Sequence, residues 1–194
     1  MSPLPGCVTR RSVSLCITAA FSMLAVVGCA AVSPSGVGID GAVSSESVHS
    51  AAHGYLDEGE LVSPFDDSLP LISQLDPALR DAVRAAATAA EADDYDIRIA
   101  SGWRSAEYQQ SLLDDAIVEY GSEAEALKWV STPEGSLHVS GNAVDVGPTD
   151  ASDWMSRFGD EFGLCQIYSN EMWHYELATT PGGECPVQRS DASG

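Results

Sequence analysis

The stretch Gly135-Ser-Leu-His-Val-Ser-Gly-Asn-Ala-Val-Asp-Val-Gly147 decides how this chain is read. Gly141-Asn142 is a two-residue turn signal flanked by alternating sequence, which predicts a β-hairpin. Closing the loop there opposes Ser140 to Ala143, Val139 to Val144 and His138 to Asp145. Opposed residues share a face with Cβ atoms about 4.5–5.5 Å apart, close enough for two side chains to reach one metal ion. In this register Leu137, Val139, Val144 and Val146 take the other face and are free to pack on helices. A helix would instead separate positions seven apart by about 10.5 Å of rise, too far for joint ligation.

A second stretch, Glu171-Met-Trp-His-Tyr-Glu-Leu177, sorts in the same way. As a strand it turns Trp173, Tyr175 and Leu177 toward a core, with His174 and Glu176 on the opposite face. If this strand neighbours the hairpin, His138, Asp145 and His174 converge. Two imidazoles and a carboxylate suit Zn2+ and leave a fourth position for water. Glu171, three residues before His174, is then the nearest group to accept that water's proton. Taken singly, a His beside an Asp is more often a hydrogen-bonded structural pair than a metal site, and E-x-x-H is a common spacing. The chain has only four histidines, however, and His49 and His53 fall in a Ser/Gly/Ala-rich stretch, where they are expected to be solvated.

The surrounding pattern supplies helices. Asp76-Pro77 is an N-cap followed by proline at the first helical position, and Leu79, Val83, Ala86 and Ala90 recur at helical spacing. Asp96–Ala100 alternates, with Ile97 and Ile99 on one face, and predicts a strand. Ser105 caps a helix to about Tyr120. Ser122 and Glu125 make a capping-box pattern for another ending near Val130, and a fourth helix is expected over 153–162. Short strands are expected near 166–168 and 173–177. Helices and strands do not alternate strictly, so the fold class is α+β: a small antiparallel sheet with helices packed on one face and the site on the other.

Composition narrows the partners. The chain has 194 residues, 29 acids against 9 Lys+Arg, a net charge of −20 and 44% hydrophobic residues. That is room for one ordinary domain with a real core. Nucleic acid is excluded as a partner, because phosphate binding requires a basic footprint. Contact with anionic headgroups through side chains is disfavoured for the same reason.

Residues 1–28 read as an export signal: Arg10 and Arg11, then an apolar run from Val13 to Val27 that is shorter than the roughly 20 residues a bilayer span needs. Val26-Val27-Gly28-Cys29 resembles a bacterial lipobox, which implies cleavage before Cys29 and lipid attachment to its sulfur. Ordinary signal cleavage near Ala31, discarding Cys29, is the alternative. Thr9-Arg10-Arg11 resembles a twin-arginine signal only weakly. Removing 28 residues leaves 166, and losing two arginines takes the charge to −22. Cys165 and Cys185 then remain and are expected to form one disulfide in an exported protein. Residues 29–54 read as a flexible tether, 55–72 as an irregular arm within a domain spanning 55–188, and 189–194 as a disordered tail.

Three motifs carry a family resemblance: Ser101-Gly-Trp-Arg-Ser105, then Ser136-x-His138-x-x-Gly141-x-Ala143-x-Asp145, then Glu171-x-Trp173-His174. In this order they resemble the VanY-type D-alanyl-D-alanine carboxypeptidases of the LAS metallopeptidases, over roughly residues 60–180. The resemblance implies a LAS/hedgehog-like fold, zinc on His138, Asp145 and His174, and Glu171 as general base and later proton donor. It implies that Arg104 stabilises the scissile carbonyl oxygen or fixes the substrate, a task suited to a fixed cationic fork. A structural salt bridge is Arg104's other reading. Ser136 and Gln109 match substrate-binding positions; the alternatives are a turn hydroxyl for Ser136 and an architectural role for Gln109. Trp173 reads as a wall and packing residue. The family commonly has proline where this chain has Met172, and no wall-anchoring repeat is visible.

The expectation is therefore a zinc peptidase removing D-alanine from peptidoglycan stem peptides, monomeric and lipid-anchored on the outer face of the bacterial membrane. D-Ala-D-Ala dipeptidase or cell-wall endopeptidase activity would use the same site. A zinc-stabilised wall-binding module without catalysis needs no Glu171.

Overall fold

A computed structural model describes residues 47–193. The signal segment, Cys29 and most of the tether lie outside these residues. The elements run α1 (Pro70–Ser73), α2 (Pro77–Ala92), β1 (Arg98–Ser101), α3 (Ala106–Tyr120), α4 (Glu123–Ala126), β2 (Ala143–Gly147), α5 (Thr149–Phe158), β3 (Leu164–Gln166) and β4 (His174–Leu177). The four strands make one antiparallel sheet in the order β1-β2-β4-β3. The class is α+β, as the element pattern indicates.

Period-two alternation assigns the two faces of the sheet. Ile99, Val144, Val146 and Tyr175 point to one side, where they pack with Leu79, Val83, Ala86 and Ala90 of α2 and with Trp154 and Met155 of α5. Each fully buried Val, Leu, Ile or Met among them contributes about 1.5–3 kcal/mol by leaving water, and each Ala less. Asp145 and His174 lie between these residues in sequence and so face the other side. A smaller cluster, Leu113, Ala116 and Ala126, joins α3 to α4.

Helix starts follow their caps. The Asp76 carboxylate accepts from the amides of Ala78 and Leu79, Ser105 Oγ accepts from Tyr108 N, and Ser122 Oγ accepts from Glu125 N. Elsewhere the structure departs from the expected boundaries. α4 is one turn rather than a helix to Val130, and α5 begins at Thr149, four residues before the expected start. The arm contains α1, whose Leu71 and Ile72 are fully buried in the main core.

The hairpin over Gly141-Asn142 does not form. Both edges of β2 are occupied, by β1 and by β4, so residues 135–140 have no edge to join. A type I′ turn needs two left-handed residues, and only Gly141 is left-handed (φ 74°). The segment folds instead into successive turns, with Val139 N donating to Ser136 O, Gly141 N to His138 O and Asn142 N to Leu137 O. Leu137 is consequently exposed rather than packed. Gly141 O accepts from Asp76 N at 2.8 Å, and a β-carbon on Gly141 would strike the Gln74 carbonyl.

Both ends of the described chain are more ordered than their composition suggests. His53, expected to be solvated in the tether, bonds Ser105 Oγ through Nδ1 at 2.7 Å and accepts from Ser105 N through its carbonyl. Gly54 is left-handed and packs against the Trp103 carbonyl so closely that a side chain there would collide. The tail, expected to be disordered from Arg189, forms a parallel bridge from Arg189 to Tyr168. Cys165 and Cys185 form the expected disulfide.

Candidate metal centre

Asp145 and His174 are cross-strand partners on β2 and β4, so their side chains emerge side by side on the face opposite the core. His138 arrives from the turns before β2. Its Nδ1–H donates to Gly102 O at 2.8 Å, and its carbonyl accepts from Arg104 N at 3.2 Å, which docks the turn on the loop after β1. The sharing of a face by His138 and Asp145 is thus reached by a loop, not by strand pairing.

The three donors form a nearly equilateral triangle. His138 Nε2 lies 3.3 Å from His174 Nδ1 and 3.4 Å from Asp145 Oδ1, and His174 Nδ1 lies 3.3 Å from Asp145 Oδ1. Tetrahedral donors at about 2.0–2.1 Å from Zn2+ are about 3.3–3.4 Å apart, so the triangle has the edge that zinc requires. The other end of each ligand is engaged: His138 on Gly102 O, His174 Nε2–H on Glu176 Oε1 at 3.0 Å, and Asp145 Oδ2 on Arg104 Nη2 at 2.8 Å. These partners select the tautomers that leave His138 Nε2 and His174 Nδ1 free as donors. Zinc fits the residues present.

Charge follows the same arrangement. Burial, aided by Arg104, lowers the His138 pKa and keeps that imidazole neutral. Burial would raise Asp145, but His138, His174 and Arg104 together hold it well below the usual carboxylate range. Burial would lower His174, yet bonds to Asp145 and Glu176 lift it to about 9 in the metal-free protein. Glu171 is pushed up to about 7, chiefly by burial. Its Oε2 is 4.0 Å from His174 Nδ1, while Oε1 is buried with no hydrogen-bond partner among the described residues.

Arg104 braces the site from the β1–α3 loop. Nε donates to Ser101 Oγ at 2.8 Å, Nη1 to Gln109 Oε1 at 3.1 Å and Nη2 to Asp145 Oδ2. A guanidinium has five N–H donors, so two remain for a ligand in the cleft. Gln109 is buried, and its Nε2 donates to Ser131 O at 2.9 Å. Both ends of its amide are engaged, and it lines the cleft next to Arg104. Ser136, also buried, lines the cleft beside His138.

A cleft of about 400 Å3 opens over the triangle. Its walls include Trp173, Tyr168, Tyr120 and Trp129, the last two stacked with ring centroids 6.1 Å apart. Trp173 is a wall as expected, though it is 40% exposed rather than packed in the core. Tyr120 and Trp129 went unnoticed in the sequence because nothing local ties the end of α3 to a distant metal triad. Glu176 was placeable on the site face by alternation, but its bond to His174 needed the rotamers.

The family model for VanY, D-alanyl-D-alanine carboxypeptidase, matches residues 72–179. A D-alanyl-D-alanine carboxypeptidase of Enterococcus faecalis is 32% identical over 45% of this chain and 42% of its own length. The chain thus spans less than half of that curated relative. Among solved structures, a glutamate-to-alanine mutant of the vancomycin-resistance D,D-pentapeptidase VanY in complex with Zn(II) is 27% identical. It aligns over 56% of this chain and 73% of that one, at a TM-score of 0.50. VanYB in complex with D-alanine-D-alanine is 29% identical over 53% of this chain and 70% of that one, also at 0.50. The matched segment holds every residue of the triangle together with Glu171 and Arg104, and the chain belongs to the VanY family of D-alanyl-D-alanine carboxypeptidases.

Proposed function

We propose that the chain is a zinc-dependent carboxypeptidase that removes the terminal D-alanine from peptidoglycan stem peptides. His138 Nε2, Asp145 Oδ1 and His174 Nδ1 would hold the ion. Zinc supplies Lewis acidity toward the scissile carbonyl and toward water. Glu171 takes the proton from the attacking water and returns it to the departing amine; its burial, which raises its proton affinity in the metal-free protein, favours the first transfer. Arg104 keeps Asp145 Oδ2 occupied, so that Oδ1 is the donor presented to the metal. Arg104 lines the cleft with two N–H groups to spare, and these would favour the substrate oxygen that gains negative charge. Ser136 offers its hydroxyl to the substrate's carboxylate.

The observation that carries this reading is a buried carboxylate oxygen of Glu171 with no partner among the described residues, beside a donor triangle of zinc dimensions. A purely structural zinc site has no use for that carboxylate. The test incubates the protein with a muramyl pentapeptide, with and without chelator, and identifies products by mass spectrometry. Chelator-sensitive loss of one alanine supports the proposal. Loss of a dipeptide or an internal cut assigns the site to a dipeptidase or endopeptidase, and no cleavage removes the catalytic reading.

Anchoring through Cys29 at the outer face of the membrane, after loss of residues 1–28, belongs to the same proposal and is supported by the lipobox-like sequence. Mass spectrometry of the protein extracted from membranes should find a chain beginning at Cys29 with lipid on its sulfur. An unmodified Cys29 would exclude a lipid anchor.

A further inference from the structure

We propose that the C-terminal strap, residues 188–192, is the element that positions Glu171 for the reaction. This rests on the peptidase reading above. Glu171 ends the segment 167–171, which runs between β3 and β4 without regular structure of its own. No hydrogen bond holds its carboxylate among the described residues: Oε1 has no partner, and Oε2 only approaches His174 at 4.0 Å. Its backbone must therefore set where the carboxylate sits; Glu171 N donates to Tyr168 O at 3.4 Å, and the residues on either side of Tyr168 are tied to the strap. Arg189 N donates to Ile167 O at 2.9 Å, Ser169 N donates to Arg189 O at 2.9 Å, and Ser169 Oγ donates to Ser190 O at 3.2 Å.

The strap also reaches the segment that carries Trp129 of the cleft wall. Ala192 N donates to Lys128 O at 3.3 Å, and the same carbonyl accepts from Asn170 Nδ2 at 3.0 Å. Lys128 immediately precedes Trp129, so the strap and Asn170 together clip the Glu171 segment to the aromatic wall. Three residues before the strap, Cys185 is bonded to Cys165 of β3. All of these residues beyond 179 lie outside the segment matched by the family model. No ligand atom of the metal triangle bonds to any of them, so the strap's direct bonds fall on the segment that leads to the proton-transfer group.

The test compares the full chain with two variants: Arg189→Pro, which deletes the N–H that reaches Ile167, and a chain ending at Pro186, which keeps the disulfide. In both, kcat is expected to fall about 10²-fold, the loss that an ångström-scale displacement of a reacting group produces. KM and zinc affinity should stay at their parent values, and the Ser169 amide should exchange faster with solvent. Arg189→Ala, which retains both backbone bonds, should recover most of the kcat that Arg189→Pro loses. Unchanged kcat in both variants overturns the proposal. A fall in kcat accompanied by lost zinc affinity also overturns it, because the strap would then be bracing the whole site. If the parent chain itself releases no product, the peptidase reading fails first and the positioning role with it.

Discussion

His174 donates through Nε2 to Glu176 Oε1 at 3.0 Å, two residues along the same strand and on the same face of the sheet. The contact orients the ring and assigns its tautomer, so that Nδ1 is the lone-pair nitrogen inside the donor triangle. Partners of this kind typically change metal affinity by about 10–100-fold. Glu176→Leu should therefore weaken zinc binding by about that factor, read by competition with a chromophoric chelator. Unchanged affinity would mean that packing against Tyr168, whose ring centroid is 5.1 Å away, orients His174 instead.

Glu171→Gln tests the division of labour at the site. Gln keeps the shape but cannot accept the proton, and general base catalysis contributes about 10²–10⁴-fold. The expected outcome is a fall in kcat of that size, with one zinc retained per chain by elemental analysis. Full activity in the zinc-loaded variant would remove Glu171 from the mechanism.

Protons should leave when zinc enters. His174 in the metal-free protein titrates at about 9 and is charged at pH 7, whereas a ligating imidazole is neutral. Zinc uptake at pH 7 should release about one proton from His174, plus a fraction from Glu171, which titrates at about 7. Calorimetry in buffers of different ionisation enthalpy measures the number, which should shrink as pH rises through 9. The same shift has a stability sign. Because the folded pKa of His174 is raised, its contribution to the metal-free fold is complete below the unfolded value of about 6.5 and disappears as pH rises through about 9. The melting temperature of chelator-treated protein should fall over that window; a flat profile would mean that the ion pair with Asp145 is absent in solution.

Salt should help an anionic substrate. The chain carries −20 overall, and Glu176, Glu171 and Asp145 line the cleft itself. A peptide carboxylate approaches against this field, which moderate salt screens over about 10 Å. The value of kcat/KM should rise between low and moderate ionic strength. A decline would place the repelling acids away from the path of approach.

Much of this architecture was legible in the sequence because it is written in local periods. The 3.6-residue spacing of Leu79, Val83, Ala86 and Ala90, and the two-residue alternation of His174 with Glu176, each report the face they bury. The triad could be named from residue types and spacing together with the family motifs. What eluded the sequence depended on neighbours distant along the chain. Gly141-Asn142 carries a sound hairpin signal, but the strands that flank β2 come from residues 98–101 and 174–177 and leave that hairpin no edge. The ordering of His53 and Arg189 has the same origin. Each lies in a weakly patterned segment that becomes ordered only because Ser105, Ile167 and Ser169 offer it backbone or hydroxyl partners.

Asp76 serves two elements at once. Its carboxylate caps α2, and its amide holds the Gly141 carbonyl at the end of the turns that carry His138. The first turn of α2 and the loop bearing a metal donor therefore share one residue as a common hinge pin. Fraying of that helix end, by heat, by loss of the cap or by a side chain forced in at Gly141, would reach the metal within a few bonds. Ion release is then an early reporter of damage on the far side of the sheet, ahead of any loss of the core.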